Sequence, residues 1–310
     1  MNKAFIITID TEGDNLWGVS DINQRITTEN ARYLFRFQEL CETFGFKPTY
    51  LTNYEMANER AMIELGREGI KNATLEIGAH EHAWNQPPYY HLIKRPGKRG
   101  KPYLSEYPRV IIGKKLEYLT HTLEDTYQCP IKSHRGGRWC LNSVIVNELE
   151  RLGYKSDCTC TPGVNWKFDP GWTFMSKGSN WEPYSNELFY LNKSISGRSM
   201  TSKVLEVPVS VIDQKGNGHF SWMRPNLHNR NEMKALLKYI SDSELEYAEF
   251  MLHSSELMPG GSPIFTNRGK IERLYQDINE LFEYAKILGF VGITVTDFVE
   301  NYERKTLKEL

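Results

Sequence analysis

The residues best able to do chemistry are His80 and His82, at the end of an alternating stretch in which Leu75, Ile77 and Ala79 are apolar. Alternation of this kind predicts a short strand, and Pro87-Pro88 forbids its continuation. On an extended backbone residues i and i+2 face the same way, so both imidazoles can converge on one metal ion. Two unrelated surface histidines would give the same spacing, so carboxylates must arrive from elsewhere for the metal reading to hold. Asp10, Glu12 and Asp14 can supply them. They follow a continuous apolar, β-branched run from Ala4 to Ile9, the pattern of a strand buried on both faces in a parallel sheet. Acids this close repel one another unless a cation or a shared proton compensates. A solvated turn accounts for Gly13-Asp14 but poorly for Asp10. A third histidine, His253, ends the predicted strand Tyr247 to Leu252 and precedes Ser254-Ser255-Glu256 and Pro259-Gly260-Gly261. It is a candidate proton donor, or else a packed histidine.

The elements that must position these groups alternate along the chain. Helices are predicted from Thr27 or Thr28 to Phe44, Glu55 to Glu68, Gly113 to Tyr127, Asn142 to Leu152, Asn231 to Ser241, Asn267 to Leu288 and Thr296 to Arg304. Between them, strands are predicted at Lys47 to Leu51, Pro130 to Ser133, Tyr154 to Asp157, Val204 to Val211 and Phe290 to Thr294. The total is about seven strands. With no internal repeat and no clear linker, the 310 residues read as one α/β domain over 1–310, an incomplete barrel with long loops at its catalytic face. Two loops stand out. The segment from Pro87 to Pro108 carries Lys94, Arg95, Lys98, Arg99 and Lys101, either an ordinary solvated loop or a lid whose cations hold a phosphate. From Cys158 to about Ser202 the pattern is irregular and aromatic (Trp166, Trp172, Phe174, Trp181, Tyr184, Phe189, Tyr190), part core and part a wall suited to sugar rings.

Composition narrows the function classes. A net charge of -1 gives no general field for nucleic acid or an anionic membrane. The five cysteines form no framework spacing, as expected of reduced thiols in a cytoplasmic protein. The first apolar run is too short for a signal sequence, and no stretch is long enough to insert stably in a membrane.

Taken in order, Thr8-Ile9-Asp10-Thr11-Glu12, Glu76-Ile77-Gly78-Ala79-His80, Arg135 and Leu252-His253 resemble the motifs of the polysaccharide deacetylase family, the NodB-homology or carbohydrate esterase 4 group, across most of the chain. The resemblance implies a distorted (β/α) barrel of seven strands, one divalent metal, usually zinc, and hydrolysis of an N-acetyl group on a sugar. Two positions depart from the pattern. Thr11 stands where the family has a second adjacent aspartate, and Trp84 stands where it has its second histidine. By the resemblance, Glu12, His80 and His82 are then the metal ligands, with Asp10 or Asp14 as alternatives to Glu12. Asp10 is the base, Arg135 orients it, and His253 is the acid. Trp84, Arg138 and Trp139 are expected to contact substrate, whereas Asp157 has no assigned part. The expected substrate is an acetylated sugar or glycoconjugate precursor, nucleotide- or lipid-linked. Two other readings compete: a metal hydrolase of the same fold acting on a ureide or cyclic imide, and a carbohydrate-binding protein that has lost its metal.

Overall fold

The computed structural model describes residues 2–14, 16, 26–90, 92, 102–173, 176, 178–195 and 198–309. The cationic run Lys94, Arg95, Lys98, Arg99 and Lys101, and the aromatic Phe174, lie outside the described residues.

In chain order the elements are β1 (Ala4–Thr11), α1 (Leu34–Thr43), β2 (Thr49–Thr52), α2 (Tyr54–Ala57), α3 (Arg60–Asn72), β3 (Glu76–Glu81), α4 (Arg109–Tyr127), β4 (Ser133–Gly136), α5 (Ser143–Arg151), β5 (Ser156–Asp157), β6 (Phe189–Ile195), β7 (Arg198–Glu206), β8 (Val211–Ile212), β9 (Ser221–Trp222), α6 (Arg230–Asp242), β10 (Tyr247–His253), α7 (Arg268–Ile287), β11 (Val291–Gly292) and α8 (Val295–Glu309). Parallel pairing runs β10-β1-β2-β3-β4-β5-β7, the expected seven strands, in a curled half-barrel with helices packed around it. Strand β6 is an addition the sequence does not predict, antiparallel on the edge of β7 and inside the segment read as irregular, whereas the strand expected at Phe290 to Thr294 is the short β11, which pairs with the start of β1.

Strand β1 shows how the sequence organises the barrel. Its odd residues Phe5, Ile7 and Ile9 join the main core with Leu34 and Phe37 of α1 and Phe282 of α7. Ala4 and Ile6, on the opposite face, pack with Val295, Phe298 and Val299 of α8, which fills the lower end of the barrel. Along that inner face the next residues are Thr8 and Asp10, both buried. The interior therefore changes from apolar at the strand starts to ionisable at the strand ends, and the period-two alternation of β1 carries both layers.

The half-barrel has an open seam. No ladder joins β7 to β10 among the described residues. The chain between them bridges it through single bonds: Tyr247 Oη donates to the Pro208 carbonyl at 2.8 Å, the Glu249 amide to Ser210 Oγ at 2.9 Å, and the Met251 amide to the Met223 carbonyl at 3.1 Å. Proline at 208 cannot donate to a ladder, which explains why the strand predicted to reach Val211 stops at Glu206. No described helix is long and apolar enough to cross a membrane.

Candidate metal-dependent active site

Pairing in the sheet brings the expected residues together. Asp10 on β1 is the register partner of His253 on β10, and His80 on β3 is the partner of Arg135 on β4. Glu12 follows β1 by one residue and is buried. Its Oε2 lies 3.4 Å from His80 Nε2 and 3.0 Å from His82 Nε2, and the two Nε2 atoms are 3.1 Å apart. Three ligand atoms each about 2.0–2.1 Å from a tetrahedral ion sit roughly 3.3 Å from one another. The observed triangle matches that requirement, so Glu12, His80 and His82 fit a zinc-like ion. His80 is also in the correct tautomer. Its Nδ1 lies 2.9 Å from the carbonyl oxygen of Arg135, which can only accept, so the ring proton is on Nδ1 and the Nε2 lone pair is free for a metal.

The other two acids are differently engaged. Asp14 Oδ2 accepts the amide of Glu29 at 2.8 Å, and Oδ1 accepts the Asn30 amide at 2.9 Å and Asn30 Nδ2 at 2.6 Å, so this carboxylate caps a helical turn. Asp10 Oδ1 accepts from Arg135 Nη1 at 2.6 Å, while Oδ2 faces His253 Nε2 at 3.7 Å and His80 Nε2 at 4.0 Å. Burial favours the neutral acid, but Arg135, with His80 and His253, outweighs it and holds Asp10 below the usual carboxylate range. Burial likewise opposes ionisation of Glu12, and the imidazoles of His82 and His253 still keep it well below its ordinary value.

Arg135 is fully buried and does not reach the cavity. Its Nε donates to the Cys158 carbonyl at 2.7 Å, and its Nη2 donates to Thr8 Oγ1 at 2.9 Å and to Glu249. Glu249, which anchors Arg135 from behind, is a residue that sequence reasoning missed. It is a single acid in the otherwise uncharged β10 run Tyr247 to Leu252, spaced two and four residues from Met251 and His253, and that isolation was the available signal. Burial pushes its carboxyl up to about 7 against the pull of Arg135.

His253 is held from behind. Its amide donates to Glu256 Oε2 at 2.9 Å, and its Nδ1 lies 3.0 Å from Arg224 Nη2 and 3.4 Å from Glu256 Oε2. Arg224 Nη2 also donates to Glu256 Oε1 at 3.0 Å, and this guanidinium is the main cause that holds the carboxyl at about 2 although burial opposes. Arg224 was missed because it lies in a loop with no pattern to mark it.

A cavity of about 160 Å³ opens over the site, lined by Asp10, Glu12, His80, His82 and His253 and also by Trp84, Arg138 and Trp139. Trp84 stacks on the His82 ring, with centroids 4.5 Å apart at 18°. It therefore backs the imidazole of a candidate metal ligand as well as lining the cavity. Arg138 pairs with Asp169 at 2.7 Å and lies over the Tyr103 ring at 4.5 Å. Trp139 stacks on Trp166 with centroids 6.1 Å apart at 18°, whereas Trp172 and Trp181 of the aromatic segment are core. Arg138 and Trp139 have φ of 59° and 55°, a left-handed pair of non-glycine residues at the cavity wall. Gly137 precedes them for a steric reason: a Cβ there would lie 2.2 Å from the Glu81 carbonyl and 2.6 Å from His82 Cδ2.

Neither a protein-family model nor a curated protein matches this sequence. Solved structures do match in fold. A candidate polysaccharide deacetylase from Mycobacterium smegmatis aligns with a TM-score of 0.56 at 15% identity, over 99% of this chain and 92% of its own. This chain has the polysaccharide-deacetylase fold. The Xyl-CE4 domain of a multidomain xylanase from the hindgut metagenome of Trinervitermes trinervoides shares that fold, with a TM-score of 0.50 at 10% identity over 98% of this chain and 92% of its own. So does the PuuE allantoinase, with a TM-score of 0.55 at 12% identity over 97% and 89%. The polysaccharide-deacetylase fold thus also carries allantoinase chemistry, and function has to be argued from the side chains.

Proposed function

We propose that the protein is a metal-dependent deacetylase that hydrolyses the N-acetyl group of a sugar or sugar-containing precursor, with the whole chain acting as one catalytic domain. The observation that carries this reading is the triangle of Glu12 Oε2, His80 Nε2 and His82 Nε2, with sides of 3.0 to 3.4 Å, flanked by Asp10 and His253. Two imidazoles and a carboxylate suit zinc, and such an ion supplies Lewis acidity toward a water and an acyl oxygen. Asp10, kept ionised by Arg135, takes the proton of the attacking water. Asp10 then holds the proton that the departing amine takes up, and His253 Nε2, facing the same space from β10, donates a hydrogen bond toward that amine. Trp84 and Trp139 on the cavity wall offer flat apolar faces to a sugar ring.

The substrate is an acetylated sugar or glycoconjugate, and neither nucleic acid nor a membrane-inserted partner is part of the reading. The PuuE allantoinase neighbour supports a second reading, hydrolysis of a ureide or cyclic imide at the same centre. Acetate release from a panel of N-acetyl sugars, set beside turnover of a ureide panel by the same zinc-loaded protein, tests the two together. Turnover confined to ureides would replace the deacetylase reading. A zinc-loaded protein inert toward both panels would sink both.

A further inference from the structure

The partner at Nδ1 decides what the Nε2 of a histidine can do. At His80 that partner is a carbonyl oxygen, which can only accept, and the ring is left with a lone pair on Nε2. At His253 it is a guanidinium nitrogen of Arg224, 3.0 Å away, which can only donate. Glu256 Oε2, an acceptor, lies farther from the same nitrogen at 3.4 Å, so the nearer guanidinium leaves the lone pair on Nδ1 and the proton on Nε2. The outward side agrees, because Nε2 faces two acceptors, Asp10 Oδ2 at 3.7 Å and Glu12 Oε1 at 4.0 Å. Two histidines ending strands on either side of β1 and β2 are thus sorted, one into a metal ligand and one into a hydrogen donor, by groups behind the rings.

We infer that Arg224 is a positioning residue that fixes the ring proton of His253 on Nε2, so that His253 meets the substrate as a hydrogen-bond donor and not as a further metal ligand. This rests on the proposed hydrolase reading for its catalytic consequence, although the tautomer itself does not. Arg224 reaches the site from the stretch after β9, in the bridge over the open seam between β7 and β10. Glu256 serves as its anchor: Oε1 accepts from Arg224, and Oε2 accepts the His253 amide. With Arg224 gone, Glu256 Oε2, 3.4 Å from Nδ1, is left to bind that nitrogen. A carboxylate can only accept, so the ring proton moves to Nδ1 and Nε2 faces the cavity as a lone pair, unable to donate.

Side-chain nitrogen-15 NMR of zinc-loaded protein reads the tautomer directly. The wild type is expected to show His253 protonated on Nε2 and His80 protonated on Nδ1. Arg224→Met is expected to move the His253 proton to Nδ1 without altering His80, and Arg224→Lys, which keeps a donor, to restore the original form. Turnover of an N-acetyl sugar should fall roughly 10²-fold in Arg224→Met, with KM and zinc content unchanged and turnover of an activated aryl acetate little affected. A wild-type His253 carrying its proton on Nδ1, or an Arg224→Met ring with the wild-type tautomer, overturns the inference. The wild-type measurement stands even if the methionine variant does not fold. Failure of the deacetylase reading shows up separately, as zinc-loaded wild type that releases no acetate while its tautomers are as expected.

Discussion

Arg135 holds Asp10 with its side chain, Nη1 to Oδ1 at 2.6 Å, while its backbone carbonyl holds the His80 ring at 2.9 Å. One residue therefore fixes both the candidate base and the tautomer of a candidate ligand, through groups that mutation can separate. Arg135→Met removes the guanidinium and keeps the carbonyl. Burial then acts on Asp10 against the neighbouring imidazoles alone, its pKa rises, and the acid limb of the pH-rate profile should move to higher pH with metal content retained. Leaving Asp10 and Glu249 without their cation should cost about 3–5 kcal/mol of stability, measurable by urea denaturation. An acid limb that stays in place would remove Asp10 from the role of base.

Purified protein should carry about one divalent ion per chain, removable by chelators with loss of turnover. His82→Ala should lower occupancy sharply, as should Glu12→Gln. Full metal content in a folded His80→Ala/His82→Ala double variant would sink the ligand assignment.

The stack of Trp84 on His82 makes Trp84 a support for metal binding. Trp84→Ala should weaken metal affinity by roughly 10–100-fold while the fold is kept, and Trp84→Phe should recover most of it. Chelator competition on the three proteins provides the check. Equal affinities would leave Trp84 as cavity lining alone.

A buried charge bridge crosses three strands beneath these groups: His134 Nε2 lies 2.7 Å from Glu81 Oε2, and His134 Nδ1 lies 2.5 Å from Asp157 Oδ1. Burial alone would lower the His134 pKa, but Glu81 and Asp157 outweigh it and raise it to about 9. A raised histidine pKa contributes stability that is complete below the unfolded value of about 6.5 and is lost as pH climbs through the folded value. Metal-free wild type should thus lose on the order of 3 kcal/mol between these two values relative to His134→Gln. Parallel denaturation midpoints for both proteins across that range would show that the bridge holds no extra proton.

His253→Ala should reduce turnover of an N-acetyl sugar by roughly 10²–10⁴-fold, because an amine leaves poorly without a hydrogen donor. An aryl acetate expels a stable phenoxide and should suffer far less. Losing Asp10 should damage both substrates, since both need the activated water. The same fractional loss on both substrates in folded, metal-loaded His253→Ala would assign it a binding or structural part.

The sequence was most legible where one strand carried both its own signal and its chemistry. Ala4 to Ile9 is apolar but for the β-branched Thr8, so its end at Asp10 and Glu12 could be placed, and Leu75, Ile77 and Ala79 did the same for His80 and His82. The β6–β7 hairpin was missed because Arg198 to Thr201 are exposed and alternate no apolar face. The predicted strand at Pro130 to Ser133 falls instead at Ser133–Gly136, which takes His134 and Arg135 into the sheet. Choosing among Asp10, Glu12 and Asp14 needed distances, because a carboxylate that caps a turn and one that faces two imidazoles look alike in sequence. Arg224 and Glu256 depend on a loop closing over the seam, and no local pattern encodes that closure.

Strand β1 lies between β2 and β10 and pairs with both, yet Thr8 and its hydrogen-bonded partner Glu249 are separated by 241 residues. A ribosome would therefore release the barrel's most apolar strand first and its second neighbour almost last. Until β10 emerges, one edge of β1 presents unpaired amides and carbonyls beside Ile6, Ile7 and Ile9, an invitation to other chains. Closing so long a loop also makes the final pairing slow. Folding yield in cells should accordingly depend on how well that edge is shielded during synthesis, and a chaperone that occupies it would do more for this protein than any added contact in the finished barrel.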